Sequence, residues 1–322
     1  MMLPALALAA GLVILYFGAE WLVKGAVELG RQFGVSAIII GLTVVSIGTS
    51  APEFVVSVLA ALRGSPELAV GNVLGSNLAN VGLILGAAAL IRPLQVHTQV
   101  VRRDIPLMLV LTLVLIPLLW NLQVGRFEGA VLVGLLVLYL VLLIPAARKD
   151  SAVFAGDEAE RIKGQVAPGA AGARALALPL GLVLGGCVGL VIGGQGIVFG
   201  ATALAAALGV PEIIVGLSVV AVGTSLPELA TTLVAAARNE TDLAVGNIVG
   251  SNIFNVTFVL GGTALVRPFE IPERILSVEL PATLLLSLLL VPVALRGRNI
   301  HRGEGVLLLL GYLGAWVWIL AR

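Results

Sequence analysis

The chain is 322 residues long, 59% hydrophobic and only 11% charged, with a formal net charge of +1. A soluble domain carries roughly a quarter charged residues, and here apolar stretches of about 20 residues, long enough to cross a bilayer as helices, recur from end to end. The composition therefore excludes a soluble protein and offers no basic patch for nucleic acid. A single cysteine, Cys187, excludes an internal disulfide framework and a cysteine-based metal cluster.

The first apolar run, "MMLPALALAAGLVILYFGAEW", lacks the positive n-region of a signal peptide. A matching segment occurs near Leu180 to Gly200, so the run reads as a first membrane helix over 3–31. A second helix over 36–62 contains "GTSAPE", Gly48 to Glu53, which places a proline and a carboxylate side by side in apolar sequence. The third, 67–90, contains "LAVGNVLGSNLANV", Leu68 to Val81. A fourth and fifth follow over 105–120 and 128–146. Residues 147–175 are polar and rich in Ala, Gly and acidic residues; they are too short for a domain and read as a flexible tether. Five more helices are expected over 176–206, 211–237, 242–265, 277–296 and 303–321. The glycine-rich "GGCVGLVIGGQG", Gly185 to Gly196, follows no strand, so it predicts close helix packing rather than a nucleotide loop.

Shifted by 175 positions, the chain overlies itself. Gly34-Val35 falls on Gly209-Val210, Glu53 on Glu228 and Arg92-Pro93 on Arg267-Pro268, without a gap and with over half the positions identical. "LAVGNVLGSNLANV" overlies "LAVGNIVGSNIFNV", Leu243 to Val256. The chain is thus a duplicated unit: 1–146, a linker over 147–175, and 176–322. A unit with five spans ends on the side opposite to its start, so the second copy enters the membrane inverted. Inverted repeats are characteristic of secondary transporters, whose substrate site lies near the midplane where the repeats meet. The expected fold is an all-α polytopic membrane protein with ten transmembrane helices, helices 2 and 7 being broken at Pro52 and Pro227. Of the 19 Lys and Arg residues, fourteen fall in the loops on one side when both termini lie outside. The positive-inside rule then places the linker in the cytosol.

Glu53 and Glu228 lie deep in their helices, where a lone charge costs about 2.5–3.5 kcal/mol. Each must face a polar cavity or a partner. Pro52 and Pro227 have no N–H, so the carbonyls of Gly48 and Gly223 lose their helical donors. Irregular backbone at membrane depth is tolerated where it lines a cavity. Thr49, Ser50, Thr224 and Ser225 add hydroxyls. Ser76 with Asn80, and Ser251 with Asn255, stand at i and i+4 on one face of the third and eighth helices. Asn72 and Asn247 extend that face, with direct contact and supporting bonds both open. Gly71, Gly75, Gly246 and Gly250 would let helices approach closely. The set is rich in oxygen and contains no Cys or His, which suits a hard cation. Calcium takes 6–8 oxygens, and two carboxylates neutralise it without surplus.

The paired "GTSAPE … GNVLGSNLAN" and "GTSLPE … GNIVGSNIFN" resemble the two alpha-repeats of the calcium/cation antiporter superfamily, the prokaryotic sodium/calcium exchangers in particular. The resemblance covers essentially the whole chain. It implies cation ligands at Thr49, Ser50, Glu53, Ser76 and Asn80, and at Thr224, Ser225, Glu228, Ser251 and Asn255, with backbone carbonyl ligands at Ser46 and Ala221. It implies that Ca²⁺ and Na⁺ are the transported ions, that no cofactor is needed, and that Ca²⁺ is extruded against inward Na⁺, three Na⁺ forming the alternative load. Other branches use protons or K⁺. Some prokaryotic members carry an aspartate where this chain has Asn255. The expected location is the plasma (inner) membrane, with the bilayer as partner; the oligomeric state is left open, a monomer being compatible with it.

Other polar residues read more plainly. Glu20, whose repeat mate is Gln195, would orient helices 1 and 6 by hydrogen bonding, a transport role being the alternative. Asn77 and Asn252 would bond helix to helix. Glu67, Glu212 and Asp242 open helices, where acidic residues favour the dipole. His97 and His301 fall in inner loops and would be solvated. The rival functions are a Ca²⁺/H⁺ or K⁺-dependent antiporter of the same fold, an intramembrane hydrolase, and a passive cation channel. The hydrolase would use Ser50 or Ser225 as nucleophile, but both histidines are distant in sequence, and a duplicated motif does not supply an asymmetric acid/base set.

Overall fold

A computed structural model describes residues 2–143, 173–208, 223–296 and 298–322. Ten helices are present among the described residues, five in each half. They are α1 Met2–Phe33, α2 Ala37–Leu62, α3 Pro66–Ile91, α4 Ile105–Leu118, α5 Arg126–Leu143, α6 Ala173–Ala207, α7 Leu226–Ala237, α8 Thr241–Val266, α9 Ile275–Leu295 and α10 Arg302–Ala321. Eight are long and apolar enough to cross a membrane; α4 is shorter, and of the helix expected over 211–237, residues 211–222 lie outside the described residues. The linker expected over 147–175 falls almost wholly outside the described residues, as do Glu212 and Ala221.

Two short antiparallel ribbons tie the halves together. Strand β1 (Leu94–Gln95) pairs with β4 (Asn299–Ile300), and β2 (Gln123–Val124) pairs with β3 (Phe269–Glu270). Each ribbon joins two loops that a ten-span count puts on the same side. Each also joins the third-to-fourth connection of one half to the corresponding fourth-to-fifth connection of the other, as a two-fold relation between inverted halves requires.

Glycine ladders set how closely the helices pack. Gly11, Gly18 and Gly25 recur every seven residues along α1, and Gly186, Gly193 and Gly200 do the same along α6. A Cβ at Gly18 would sit 2.8 Å from the Leu190 amide nitrogen, and one at Gly193 would sit 2.5 Å from that of Leu15. The two backbones touch directly, the packing that small residues permit in a membrane. The run Gly185 to Gly196 is therefore a packing surface. Gly246 does the same for α8 against α2, where its Cβ would meet the Ile38 carbonyl at 2.6 Å. Gly71 and Gly75 meet nothing within 4 Å; the repeat-related partners of Ile38 and Leu42, positions 213 and 217, lie outside the described residues.

Burial divides the helices into a centre and a periphery. The apolar window of α8 is 94% buried, against 22% for α1 and 17% for α10. The α1/α6 pair therefore stands at the edge, with α2, α3, α7 and α8 grouped around the middle. Four π-helical segments interrupt the regular turns: Gly41–Val45 in α2, Ala79–Ile84 in α3, Asn255–Leu260 in α8, and Ile275–Glu279 at the head of α9; a fifth, Val100–Asp104, leads into α4. The interruption of helix 2 thus takes the form of a π segment one turn before the site, and Pro52 lies inside the helical stretch Ser46–Leu62 that follows. At the head of α7, Thr224-Ser225 form a turn outside regular helix, and Pro227 stands in the first turn of α7.

Candidate cation-binding site

The centre of the bundle is polar, although it lies at membrane depth. Ser46, Thr49, Ser50 and Glu53 of α2, Ser76 and Asn80 of α3, Ser225 and Glu228 at the head of α7, and Ser251 and Asn255 of α8 are all at most 1% exposed. Thr224 is half-buried beside them.

Hydrogen bonds link these residues across the two halves, nearly always in symmetric pairs. The Ser50 hydroxyl donates to Glu228 Oε1 at 3.4 Å, and the Ser225 hydroxyl donates to Glu53 Oε1 at 3.5 Å. Thr49 Oγ1 donates to Asn247 Oδ1 at 3.2 Å, and Thr224 Oγ1 donates to Asn72 Oδ1 at 3.0 Å. Ser225 and Ser76 hydroxyls lie 3.0 Å apart, and those of Thr49 and Ser251 lie 3.4 Å apart. At 3.4 and 3.5 Å these contacts to the carboxylates are longer than an ordinary O–H···O hydrogen bond and correspondingly weak. The carboxylates are positioned by neighbours without being saturated by them.

Asn72 and Asn247 take the supporting role. Asn72 Nδ2 donates to the Glu53 carbonyl at 3.1 Å and to the Ser57 hydroxyl at 2.9 Å, and Asn247 Nδ2 donates to Thr232 Oγ1 at 3.1 Å. Their oxygens are engaged by the threonines of the site. Ser57 and Thr232 had no motif to announce them. They are repeat mates, 175 positions apart, and a census of polar residues retained at that shift would have found them.

Among the candidate site residues, four buried oxygens have no hydrogen-bond partner among the described residues: Glu53 Oε2, Glu228 Oε2, Asn80 Oδ1 and Asn255 Oδ1. They belong to the four strongest oxygen donors that the sequence proposes, one pair from each half. Buried polar atoms are almost always paired, and an unpaired buried carboxylate is expensive. The ion pairs among the described residues, Arg103–Asp104, Arg238–Glu20 and Arg274–Glu279, leave both site glutamates without a cationic partner. Two carboxylate and two amide oxygens, with hydroxyls between them, are a donor set for a hard cation. The histidines that a Ser–His hydrolase would use are remote from these serines: His97 and His301 lie beside the paired strands β1 and β4, at one end of the bundle.

Several residues outside the site differ from their sequence reading. Among the described residues, Glu20 has no hydrogen-bond partner on helix 6. It accepts both Nε and Nη2 hydrogen bonds from Arg238, which follows α7, and one from Tyr16. The bonds to Glu20 hold the Arg238 guanidinium above its ordinary pKa. Asn77 and Asn252 do bridge α3 and α8. His97 is half-buried rather than solvated, whereas His301 is exposed and heads α10 with Glu304 in a capping box. Glu67 and Asp242 stand in the first turns of α3 and α8, as helix-opening acids.

The chain is similar to known proteins over nearly its whole length. The family model described as sodium/calcium exchanger protein matches residues 3–144 and 178–321. The chain is 40% identical over 320 residues to the inner membrane protein YrbG of Escherichia coli, covering 99% of this chain and 96% of that one. It is 32% identical over 345 residues to the sodium/calcium exchanger MaX1 of Methanosarcina acetivorans, covering 96% of each. Its structure is similar to that of the sodium-calcium exchanger NCX_Mj soaked with Na⁺ and Ca²⁺, with a TM-score of 0.82 at 30% identity over 98% of both chains.

Proposed function

This chain belongs to the sodium/calcium exchanger protein family, and on that premise we propose that it exchanges Na⁺ for Ca²⁺ across the plasma (inner) membrane by alternating access. It is a membrane antiporter and not an enzyme. The observation that carries the ion assignment is the set of four unpartnered oxygens: one Ca²⁺ balances the charges of Glu53 and Glu228 and takes the two amide oxygens in the same shell.

Sodium carries half the charge and relies more on neutral dipoles. The hydroxyls of Thr49, Ser50, Thr224, Ser225, Ser76 and Ser251, with the carbonyls of Ser46 and Ala221, supply these. Three Na⁺ against two carboxylates leave one surplus positive charge, so the sodium-loaded step is electrogenic and an inside-negative voltage drives Ca²⁺ out. In this reading the units 1–146 and 176–322 move against one another, both termini lie outside, and the tether 147–175 is cytosolic.

Equilibrium binding of radioactive Ca²⁺ to the purified protein tests the site. Na⁺ should displace Ca²⁺ with a steep, cooperative dependence, while choline should not. Displacement by protons but not by Na⁺ would favour the Ca²⁺/H⁺ alternative and overturn this assignment.

A further inference from the structure

Asn77 and Asn252 lie beside the ion site, one residue past Ser76 and Ser251, and are 2% and 1% exposed. Each is bonded to the ligand asparagine of the opposite half. Asn255 Nδ2 donates to Asn77 Oδ1 at 3.1 Å, and Asn80 Nδ2 donates to Asn252 Oδ1 at 3.0 Å. These crossed bonds use the amide nitrogens of both ligand residues. What remains on each is its oxygen, and those oxygens are the ones without a partner.

The orientation of each amide follows from groups that can only accept. Asn77 Nδ2 donates to the Asn252 carbonyl at 3.3 Å. A carbonyl has no hydrogen to give, so Asn77 must present its NH₂ there and its oxygen to Asn255. Asn255 must then turn its NH₂ to Asn77 and its oxygen away. On the other side Asn252 Nδ2 meets the Met108 sulfur at 3.3 Å. A thioether also accepts without donating. Asn252 therefore offers its oxygen to Asn80, whose own oxygen is freed in the same way. One anchor is a carbonyl and the other a weak thioether acceptor, so the Asn255 side is held more firmly.

We propose that Asn77 and Asn252 are positioning residues that turn the amide oxygens of Asn80 and Asn255 toward the transported cation. The inference rests on the cation-site reading given above. Without the crossed bonds, a ligand amide can rotate by half a turn and present two partly positive hydrogens to the ion. A role confined to gluing α3 to α8 makes a different prediction, because glue does not depend on which end of the neighbouring amide faces inward.

The discriminating experiment uses Ca²⁺ binding at equilibrium by the purified, full-length protein, in the native and Asn255→Asp backgrounds. A carboxylate has two equivalent acceptor oxygens, so at position 255 it needs no orientation. Asn77→Leu should weaken Ca²⁺ binding about tenfold in the native background, the size of one well-placed polar contact. In the Asn255→Asp background it should weaken binding less than about threefold. A milder variant guards against misfolding: Met108→Leu conserves volume and removes only the acceptor behind Asn252. It should weaken Ca²⁺ binding about threefold, and this effect should vanish with Asn80→Asp. Equal losses in both backgrounds would show that the asparagines act as glue and would overturn the proposal, as would unchanged Ca²⁺ binding in Asn77→Leu. Failure of the unaltered protein to bind Ca²⁺ would instead sink the cation-site reading, and this one with it.

Discussion

Glu53 and Glu228 stand in the least hospitable part of the molecule, both 0% exposed and neither paired with a cation among the described residues. Two like charges in such surroundings are tolerated only if something positive visits them. Glu53→Gln and Glu228→Gln should therefore each abolish Ca²⁺ transport in protein that still folds, since each removes one of the two balancing charges. Normal exchange by either variant, with an unaltered gel-filtration profile, would contradict the site. The hydroxyl residues should behave differently. Alanine at Thr49, Ser50, Thr224 or Ser225 removes a neutral dipole, and should raise the Na⁺ concentration needed for half-maximal exchange by more than it raises that for Ca²⁺. Kinetic titration of both ions against all four variants checks this; uniform weakening of both would count against it. Glu20 provides the contrast. It is bonded to Arg238 and Tyr16, and exposed ion pairs contribute only about 0–1 kcal/mol. Glu20→Gln should leave the Ca²⁺ dependence of exchange within about twofold of normal, and a loss of Ca²⁺ affinity would restore it as a transport residue.

At the scale of helices, what could be read from the sequence depended on how local the cause was. "GTSAPE" and "GTSLPE" announced themselves because a carboxylate and a proline are costly in apolar surroundings wherever the rest of the chain goes. Ser76 with Asn80, and Ser251 with Asn255, followed from helical spacing alone. The partners of these residues did not, because they arise from packing between helices. Ser57, Thr232 and Met108 look like ordinary residues until α2 meets α3 and α8 meets α7 and α4. The same holds for Arg238, which takes Glu20 from its expected neighbour on helix 6. The π segments were equally silent, since the sequence shows a smooth apolar run where the backbone widens at Gly41–Val45. The glycine ladder between α1 and α6 was half legible: its close packing was foreseen for 185–196, but not its mate on α1. Its energetic weight can be tested. Gly18→Val would place a side chain 2.8 Å from the Leu190 nitrogen and 3.0 Å from the Gly186 carbonyl, both backbone atoms. Overpacking of this kind costs about 1–3 kcal/mol, so thermal unfolding in detergent should occur at a lower temperature than for the unaltered protein. An unchanged melting profile would mean that the two helices can separate freely.

Over the whole molecule, duplication explains why the site is made of matched pairs. Each half contributes one carboxylate, one unpartnered amide oxygen and a hydroxyl cluster, and neither half completes a cation shell alone. The ribbons β1–β4 and β2–β3 repeat the relation at the two ends of the bundle. If the halves work against each other in this way, the tether between them needs only to span the gap. Excising residues 151–170 in favour of a short flexible spacer should leave exchange intact in membrane-inserted protein, and its loss would give the segment a task of its own. Charge movement belongs to this scale too. A surplus positive charge on the sodium-loaded form feels about 2.3 kcal/mol per 100 mV. In proteoliposomes clamped with K⁺ and valinomycin, an inside-negative potential should favour Na⁺ entry and Ca²⁺ exit, whereas a voltage-independent equilibrium would mean electroneutral exchange.

The proposed function rests on Na⁺ as the driving ion and Ca²⁺ as the cargo, and one flux measurement addresses both. Proteoliposomes loaded with Na⁺, loaded with acid, or left without a gradient are diluted into medium containing radioactive Ca²⁺, and uptake is followed over time. The account predicts rapid Ca²⁺ accumulation only in vesicles with an outward Na⁺ gradient, lost in Glu53→Gln and Glu228→Gln. Accumulation driven by the proton gradient alone, or equal Ca²⁺ entry without any gradient, would contradict it.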